Sequence, residues 1–299
     1  MTLPAYWVNG RPGHTVAVSD RGLLYGDSLF ETLRYHGGQF LLLGFHKQRL
    51  RHGCAVLGMP FEDATFAEQL ELVTEYAVES GVDEATCRVT LTRGEGGRGY
   101  AYTPQRPTWL VGLHPVTPAW RENLPPADVM ICGHRALENP SLVGLKHGNR
   151  LAEVLAAREV AAAGADEGLM LDGEGFVVSA TSANLFLVRD GEVPPPALDR
   201  AGIAGTVRRL LLEQVAERVG CKVSEARLKP ADAREAQELF VCNSLIGIRG
   251  VATLDGHTFD AAPVTAGLQQ AYFHVAEQLP GGDTAGWLSL SPCWRWRSG

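Results

Sequence analysis

Hydrophobic positions recur along the chain with two periods. Short apolar runs bounded by turn residues predict strands, and the first pair is Tyr6-Trp7-Val8 and Thr15–Val18, flanking Asn9-Gly10 and Pro12-Gly13. Leu29 to Tyr35 and Gln39 to Leu43 flank His36-Gly37-Gly38, a hairpin signature. Further strands are expected at Thr86–Thr92 and Trp109–Leu113, with a glycine-rich loop between them. Helical spacing appears over Phe45–Leu57, where Leu50 and Leu57 share a face, and over about 64–80, with Asp63 as cap and Gly81 as stop.

In the second half, Ser141-Leu142-Val143-Gly144-Leu145 reads as an extended core segment that hands over to a helix. In that helix Leu151, Val154, Leu155 and Val160 recur at helical spacing up to the cap Gly164. A hairpin is expected from Gly168–Leu171 and Phe176–Ser179 across Asp172-Gly173-Glu174-Gly175, followed by a strand at Asn184–Arg189. Helices at about Thr206–Val219 and Pro230–Glu238 precede a strand at Leu239–Cys242. Pro115, Pro118, Pro125 and Pro126 mark a linker. The expected division is therefore a small domain over 1–117, a linker over 118–126 and a larger domain over 127–299, with a peripheral tail at 290–299. No internal repeat is present.

Composition narrows the function classes. The 299 residues are 45% hydrophobic and 20% charged, as in an ordinary globular protein. A net charge of −7 argues against a nucleic-acid partner. No apolar run approaches the ~20 residues that span a bilayer, so no membrane association is expected. The start, Met1 to Trp7, lacks the basic and apolar regions of a secretory signal. Six dispersed cysteines form no CxxC pair, which predicts neither a zinc site nor a disulfide framework, and no other metal site is expected. These features predict a cytoplasmic protein.

Lys146 carries the first candidate chemistry. A lone lysine usually reaches water along its own stem. Between an apolar run and a helix, its ammonium is costly and its pKa should fall. Such an amine can hold a carbonyl cofactor as a Schiff base and then move protons. Gly202-Ile203-Ala204-Gly205-Thr206 opens a helix, and free N–H groups there suit a phosphate. By itself this is equally a plain loop-to-helix junction. No P-loop and no GxGxxG after a strand favours a nucleotide, so a phosphate monoester fits better. His46 and Arg49 share a helix face, where Arg49 is either a surface group or a phosphate anchor. Arg93-Gly94-Glu95-Gly96-Gly97-Arg98-Gly99-Tyr100 places two arginines in a loop of four glycines, read as a carboxylate-recognition loop in which Arg93, Arg98 and Tyr100 contact the substrate.

Together these segments resemble the fold-type IV pyridoxal-phosphate enzymes, the class-IV aminotransferase group, over nearly the whole chain. The carriers are Val18-Ser19-Asp20-Arg21-Gly22-Leu23-Leu24-Tyr25-Gly26-Asp27, Phe30-Glu31-Thr32, His46-Lys47-Gln48-Arg49-Leu50, the Arg93–Tyr100 loop, Leu145-Lys146-His147-Gly148-Asn149-Arg150 and Ser182-Ala183-Asn184-Leu185-Phe186. The Gly96–Tyr100 loop and Thr32 resemble the lyase branch that acts on 4-amino-4-deoxychorismate. The resemblance implies a two-domain α+β fold like that of D-amino acid aminotransferases, a homodimer, and pyridoxal 5'-phosphate as cofactor. It implies that Lys146 is the Schiff-base lysine and general base, and that Arg49 grips the cofactor phosphate. Thr206, Val207, Asn243 and Ser244 would complete the phosphate cup, Thr32 would assist protonation, and Arg98 would hold a substrate carboxylate. The implied reaction yields 4-aminobenzoate and pyruvate, a step toward folate.

One position departs. The family places a glutamate beside the pyridine nitrogen of the cofactor, five residues before Asn184, and here that position is Ser179. A carboxylate there keeps the ring protonated and makes it a strong electron sink. A hydroxyl offers only a hydrogen bond, which favours elimination toward an aromatic product over transamination. Asp172 or Glu174 could reach the nitrogen instead. The rivals are an aminotransferase of the same fold for D-amino or branched-chain amino acids, and a non-catalytic binding homologue.

Overall fold

The computed structural model describes residues 3–101, 106–116 and 119–279. The tail at 290–299 lies outside them. Strands β1 (Ala5–Val8) and β2 (Arg11–Pro12) are followed by the short helix α1 (Arg21–Tyr25) and strands β3 (Ser28–His36) and β4 (Gln39–Phe40). Helices α2 (Leu43–Leu57) and α3 (Asp63–Glu79) precede β5 (Glu84–Thr92) and β6 (Thr108–His114). These strands form an antiparallel sheet in the order β2-β1-β6-β5-β3-β4. The β3–β4 turn is Gly37-Gly38, both at positive φ, as a two-residue hairpin demands.

Strand alternation gives this sheet two different faces. Leu33, Val89, Leu91 and Leu113 pack beneath Leu50 and Cys54 of α2 and Phe66, Leu70 and Val73 of α3. The opposite face carries Phe30, Thr32 and Arg34, with Thr90, Arg88 and Thr86 as their register partners on β5.

The second sheet is built from β7 (Ala127–Ile131), β8 (Glu167–Leu171), β9 (Val177–Ala180), β10 (Asn184–Val188), β11 (Glu238–Asn243), β12 (Gly247–Leu254) and β13 (His257–Thr258). Its order is β10-β11-β12-β7-β8-β9, with β13 on β12. Helix α4 (Leu151–Ala163) packs Ala156 and Val160 on Met170 and Cys132. Helix α5 (Thr206–Leu210) runs on through a π turn (Leu211–Val215) into α6 (Ala216–Arg218). With α8 (Pro263–Gln278) it buries Phe186 and Phe240, whose rings stack at 5.0 Å. Helix α7 (Pro230–Arg234) covers the other face through Ala233. Each ring buried there stabilises the fold by about 1.5–3 kcal/mol.

A seam joins the two sheets. Arg34, 1% exposed, pairs with Glu84 at 3.1 Å and donates to the Leu245 carbonyl at 2.7 Å. The stretch 144–148 lies between β3 and the 202–204 loop. Phe30 N–H donates to the Lys146 carbonyl and Gly148 N–H to the Ser28 carbonyl on one side. Gly144 N–H donates to the Gly202 carbonyl, and Ala204 N–H to the Gly144 carbonyl, on the other. Gly144 sits at φ +77°, a conformation in which a side chain is strained.

Several expectations need correction. Thr15–Val18 is no strand, because Asp20 turns the chain into α1 by accepting N–H from Gly22 and O–H from Thr92. Asp63 is the first helical residue, paired with Arg51, and Glu62 is the cap. The helix expected over 230–238 stops at Arg234, and Glu238 opens β11 and accepts N–H from Val264 and Thr265 at the start of α8. The apolar stripe expected on α4 is partly outward: Leu151 is 71% and Val154 54% exposed. Helix α8 and strands β7 and β12 were not expected from pattern.

Candidate active site

Lys146 stands at the centre of the seam. Its Nζ lies 4.4 Å from the centroid of the Phe30 ring. Burial lowers its pKa to about 7, helped by the cations of Arg49, Arg88 and Arg150 and opposed by Glu31. A large fraction of the amine is thus neutral near pH 7, able to attack a carbonyl or accept a proton.

Arg49 and His46, one turn apart on α2, both reach Glu31 of β3. Arg49 Nε donates to Glu31 Oε1 at 2.8 Å and its Nη2 to Oε2, while Nη1 donates to the Ala204 carbonyl at 2.8 Å. His46 Nδ1 lies 2.6 Å from Glu31, and its Nε2 faces the Thr206 hydroxyl at 3.4 Å. Burial works against the Glu31 charge, but Arg49 and His46 override it and bring the carboxyl down to about 2. Burial also keeps His46 below its ordinary pKa despite Glu31. The result is a buried relay from Arg49 through Glu31 and His46 to Thr206, the first residue of α5. Arg49 engages three of its five N–H groups in this relay and retains two for another acceptor. Thr206 and Val207 are buried at the helix start, where unpaired N–H groups favour an anion. Asn184 braces the approach by donating to the Ile203 carbonyl at 3.0 Å.

Thr32 is on the Phe30 face of β3, and its carbonyl accepts from the Ser244 hydroxyl at 2.6 Å. Asn243 Oδ1 accepts the Leu245 and Ile246 N–H groups, and its amide donates to Ser182 at 3.3 Å. The Asn243-Ser244 turn is therefore bound to β3, to Ser182 and to itself. Ser179 lines a small cavity of ≈ 20 Å³ with His147, Arg150 and Glu153. Glu153 pairs with Arg150 at 2.6 Å. The two other acids considered for the cofactor ring are engaged elsewhere: Asp172 accepts N–H from Glu174 and Phe176 and pairs with Arg227, and Glu174 pairs with Arg200 and Arg227.

The glycine-rich loop separates its two arginines. Arg93 is 6% exposed, paired with Asp27 at 2.6 Å and donating to the carbonyls of Leu57 and Gly58 that end α2. It fastens the loop to the domain, so the expectation that it contacts substrate does not match its placement. Arg98 is exposed, and Tyr100 is 88% exposed with its ring 5.7 Å from Tyr25. The residue that pattern did not reveal is Arg88. It lies opposite Thr32 in the ladder, and its guanidinium covers Phe30 at 3.9 Å. It lines a groove of ≈ 340 Å³ together with Tyr6, His14, Thr90 and His114. The missed signal was its register on an alternating strand.

The sequence pattern described as Amino-transferase class IV matches residues 28–254. The chain belongs to that family. An aminodeoxychorismate lyase of Vibrio harveyi is 32% identical over 260 residues, covering 83% of this chain and 90% of its own. The crystal structure of 4-amino-4-deoxychorismate lyase from Pseudomonas aeruginosa superposes with a TM-score of 0.80 at 39% identity, covering 92% of this chain and 99% of that one. The branched-chain amino acid aminotransferase from T.th., complexed with N-(5'-phosphopyridoxyl)-L-glutamate, gives a TM-score of 0.79 at 25% identity, covering 92% and 95%. The fold is thus the fold-type IV α+β fold of this class IV family.

Class IV enzymes depend on pyridoxal 5'-phosphate. The residues present fit it: a lysine with a lowered pKa, a helix start with unpaired N–H groups, and an arginine with two N–H groups to give.

Proposed function

We propose that this class IV enzyme is a lyase that converts 4-amino-4-deoxychorismate to 4-aminobenzoate and pyruvate. The observation that carries the reading is the Phe30 face of β3, where Lys146 and Arg88 both contact one ring and Thr32 is the register partner of Arg88. On this reading that face offers a proton-moving amine, a hydroxyl and a carboxylate receptor. The lyase relatives of Vibrio harveyi and Pseudomonas aeruginosa support it.

Pyridoxal phosphate, when bound, supplies the electron sink for breaking a C–H bond beside the substrate nitrogen. Lys146 holds the cofactor and then takes that proton. Arg49, Thr206 and the Val207 amide would hold the phosphate, and the Asn243-Ser244 turn is bound to β3 beside it. The proton lost from the carbon bearing nitrogen returns to the methylene carbon of the departing enolpyruvyl group, from Lys146 or Thr32. The ether C–O bond breaks, the ring becomes aromatic, and atoms balance without water or an oxidant. The substrate carries two carboxylates. Arg98 answers one, and Arg88 takes the part first given to Arg93.

The chain works as a homodimer in this reading. Leu23 and Leu24 of α1 and Leu151 and Val154 of α4 are exposed on either side of the contact between Asn149 and Gly26, an apolar surface suited to a second copy. A cytoplasmic setting suits the five described cysteines, all free thiols. Incubation with 4-amino-4-deoxychorismate should release pyruvate and 4-aminobenzoate in equal amounts. Turnover of D-alanine or a branched-chain amino acid with 2-oxoglutarate, without that release, would overturn the lyase in favour of an aminotransferase.

A further inference from the structure

Arg98 is exposed, yet the backbone on both sides of it is fixed. Before it, Gly96 N–H donates to the Ser19 carbonyl, and Glu95 accepts from the Ser19 hydroxyl at 2.7 Å. After it, Gly99 N–H donates to the Tyr25 hydroxyl at 3.0 Å. One residue is common to both sides. Arg21, 3% exposed at the start of α1, donates through Nη1 to the Gly99 carbonyl at 3.0 Å and through Nη2 to the Tyr100 carbonyl at 3.2 Å. Its Nε donates to Asp27 at 3.1 Å, its guanidinium covers Tyr25 at 4.7 Å, and its own N–H donates to the Gly94 carbonyl. Gly96 passes so close that a Cβ there would stand 2.7 Å from Arg21 Cδ.

Electrostatics explains why the loop is drawn in. Asp27 Oδ2 accepts from both Arg21 and Arg93, so one carboxylate answers two guanidinium groups. Backbone carbonyls also accept: Gly99 and Tyr100 from Arg21, Leu57 and Gly58 from Arg93. A planar fork can meet a carboxylate and two carbonyls at once, whereas an ammonium cannot hold that geometry.

We propose that Arg21 is a positioning residue: it fixes the Gly99-Tyr100 backbone so that Arg98 is presented to a carboxylate-bearing substrate in one pose. The proposal rests on the reading of Arg98 as a carboxylate receptor. Pre-setting the loop removes the ordering cost that a glycine-rich segment would otherwise bring to binding.

The test uses the cofactor-loaded enzyme with Arg21→Lys, and Gly96→Ala as a second variant that strains the same contact. Amide hydrogen exchange at Gly96 and Gly99 should accelerate by about tenfold or more, with α2 and α3 unchanged. KM for the substrate should rise about tenfold and kcat stay within about twofold, while the absorbance of the lysine-bound cofactor is unaltered. The effects of Arg21→Lys and Arg98→Ala should not add. Unchanged exchange, an unchanged KM, additive effects, or a joint fall in kcat and cofactor binding would each overturn the proposal. If Arg98→Ala raises KM and Arg21→Lys does not, only the positioning role fails. If Arg98→Ala leaves KM unchanged, the recognition reading fails and the proposal falls with it.

Discussion

The two arginine-bearing regions solve opposite problems with the same side chain. Around Lys146, Arg49 is closed in against Glu31, which is 1% exposed, and its charge tunes its neighbours. In the Gly94–Tyr100 loop, Arg98 is exposed, while Arg21 of α1 and Arg93 before the loop take the buried work of holding the backbone. Low dielectric makes the first set of charges strong and fixed, suited to chemistry. Exposure leaves the second free to meet a ligand, suited to selection. The difference predicts that damage at the seam removes activity, whereas damage at the loop moves affinity.

The largest effect should come from Lys146→Ala. Loss of its proton transfer alone costs ~10²–10⁴-fold in rate, and covalent attachment of the cofactor disappears with it. Absorbance of the bound cofactor and release of 4-aminobenzoate are the measurements, and a variant retaining both would remove Lys146 from the chemistry. The same amine predicts a pH effect in cofactor-free protein. Below pH about 7 it is protonated folded and unfolded, and burial of the charge weighs fully against folding. Between about 7 and its ordinary value of 10.5 the unfolded chain binds the extra proton, so stability rises with pH. Thermal melts across pH 7 to 9 should show a rise that Lys146→Met lacks.

Arg49→Ala comes next. It leaves Glu31 buried beside His46 alone, and breaking such a pair costs about 3–5 kcal/mol. The expected result is a lower melting temperature and weaker cofactor retention, with activity recovered in excess pyridoxal phosphate. An unchanged melting temperature and cofactor Kd would mean that the relay to Thr206 does not organise the helix start.

At the loop the effect should be smaller and of another kind. Arg98→Lys should raise KM by about ten- to a hundredfold, the range for a charged hydrogen bond of ~1.5–3 kcal/mol, with cofactor absorbance intact, and Arg88→Lys on β5, outside the loop, tests the second carboxylate receptor by the same measurement. Arg93→Lys should lower thermal stability instead, because it loosens Asp27 and the carbonyls ending α2. If Arg93→Lys alone moves KM, the assignment of the two loop arginines is reversed.

Much of the seam was legible because its parts are local. Lys146 follows an apolar run, His46 and Arg49 are one turn apart, and Gly205-Thr206 opens a helix, all of which spacing displays. What spacing does not display is which partner a charge finds across the fold. Arg93 and Arg98 look alike in sequence, yet Asp27, remote in the chain, claims one of them. Arg88 looked like a strand residue until its register placed it opposite Thr32. Leu151 and Val154 carried a sound helical period, but the face it marked is turned outward. Helix α8 has local signals, Pro263 in its first turn and Leu268, Tyr272 and Val275 at helical spacing, and only the Glu238 carboxylate that receives its first N–H groups is remote in the chain.

The smallest predicted effect tests the departure at Ser179. The acids that could have replaced the missing glutamate are paired: Asp172 with Arg227, Glu174 with Arg200 and Arg227, and Glu153 with Arg150. The Ser179 hydroxyl is therefore the group we expect beside the ring nitrogen, offering a hydrogen bond without a negative charge. A ring nitrogen left without a carboxylate is a weaker electron sink. Transamination needs that sink throughout a reversible cycle, whereas the proposed elimination gains its driving force from aromatisation. Ser179→Glu should then raise pyridoxamine phosphate formation with D-alanine several-fold more than it raises 4-aminobenzoate release, a change of about 1 kcal/mol in relative barrier height. Ser179 is half-buried, so the melting temperature of the variant checks that the longer side chain is accommodated. The ratio of the two activities is the deciding number. An unchanged ratio in a folded, cofactor-loaded variant would show that position 179 does not set the course of the reaction, and that the preference for elimination resides in Thr32 and the carboxylate receptors.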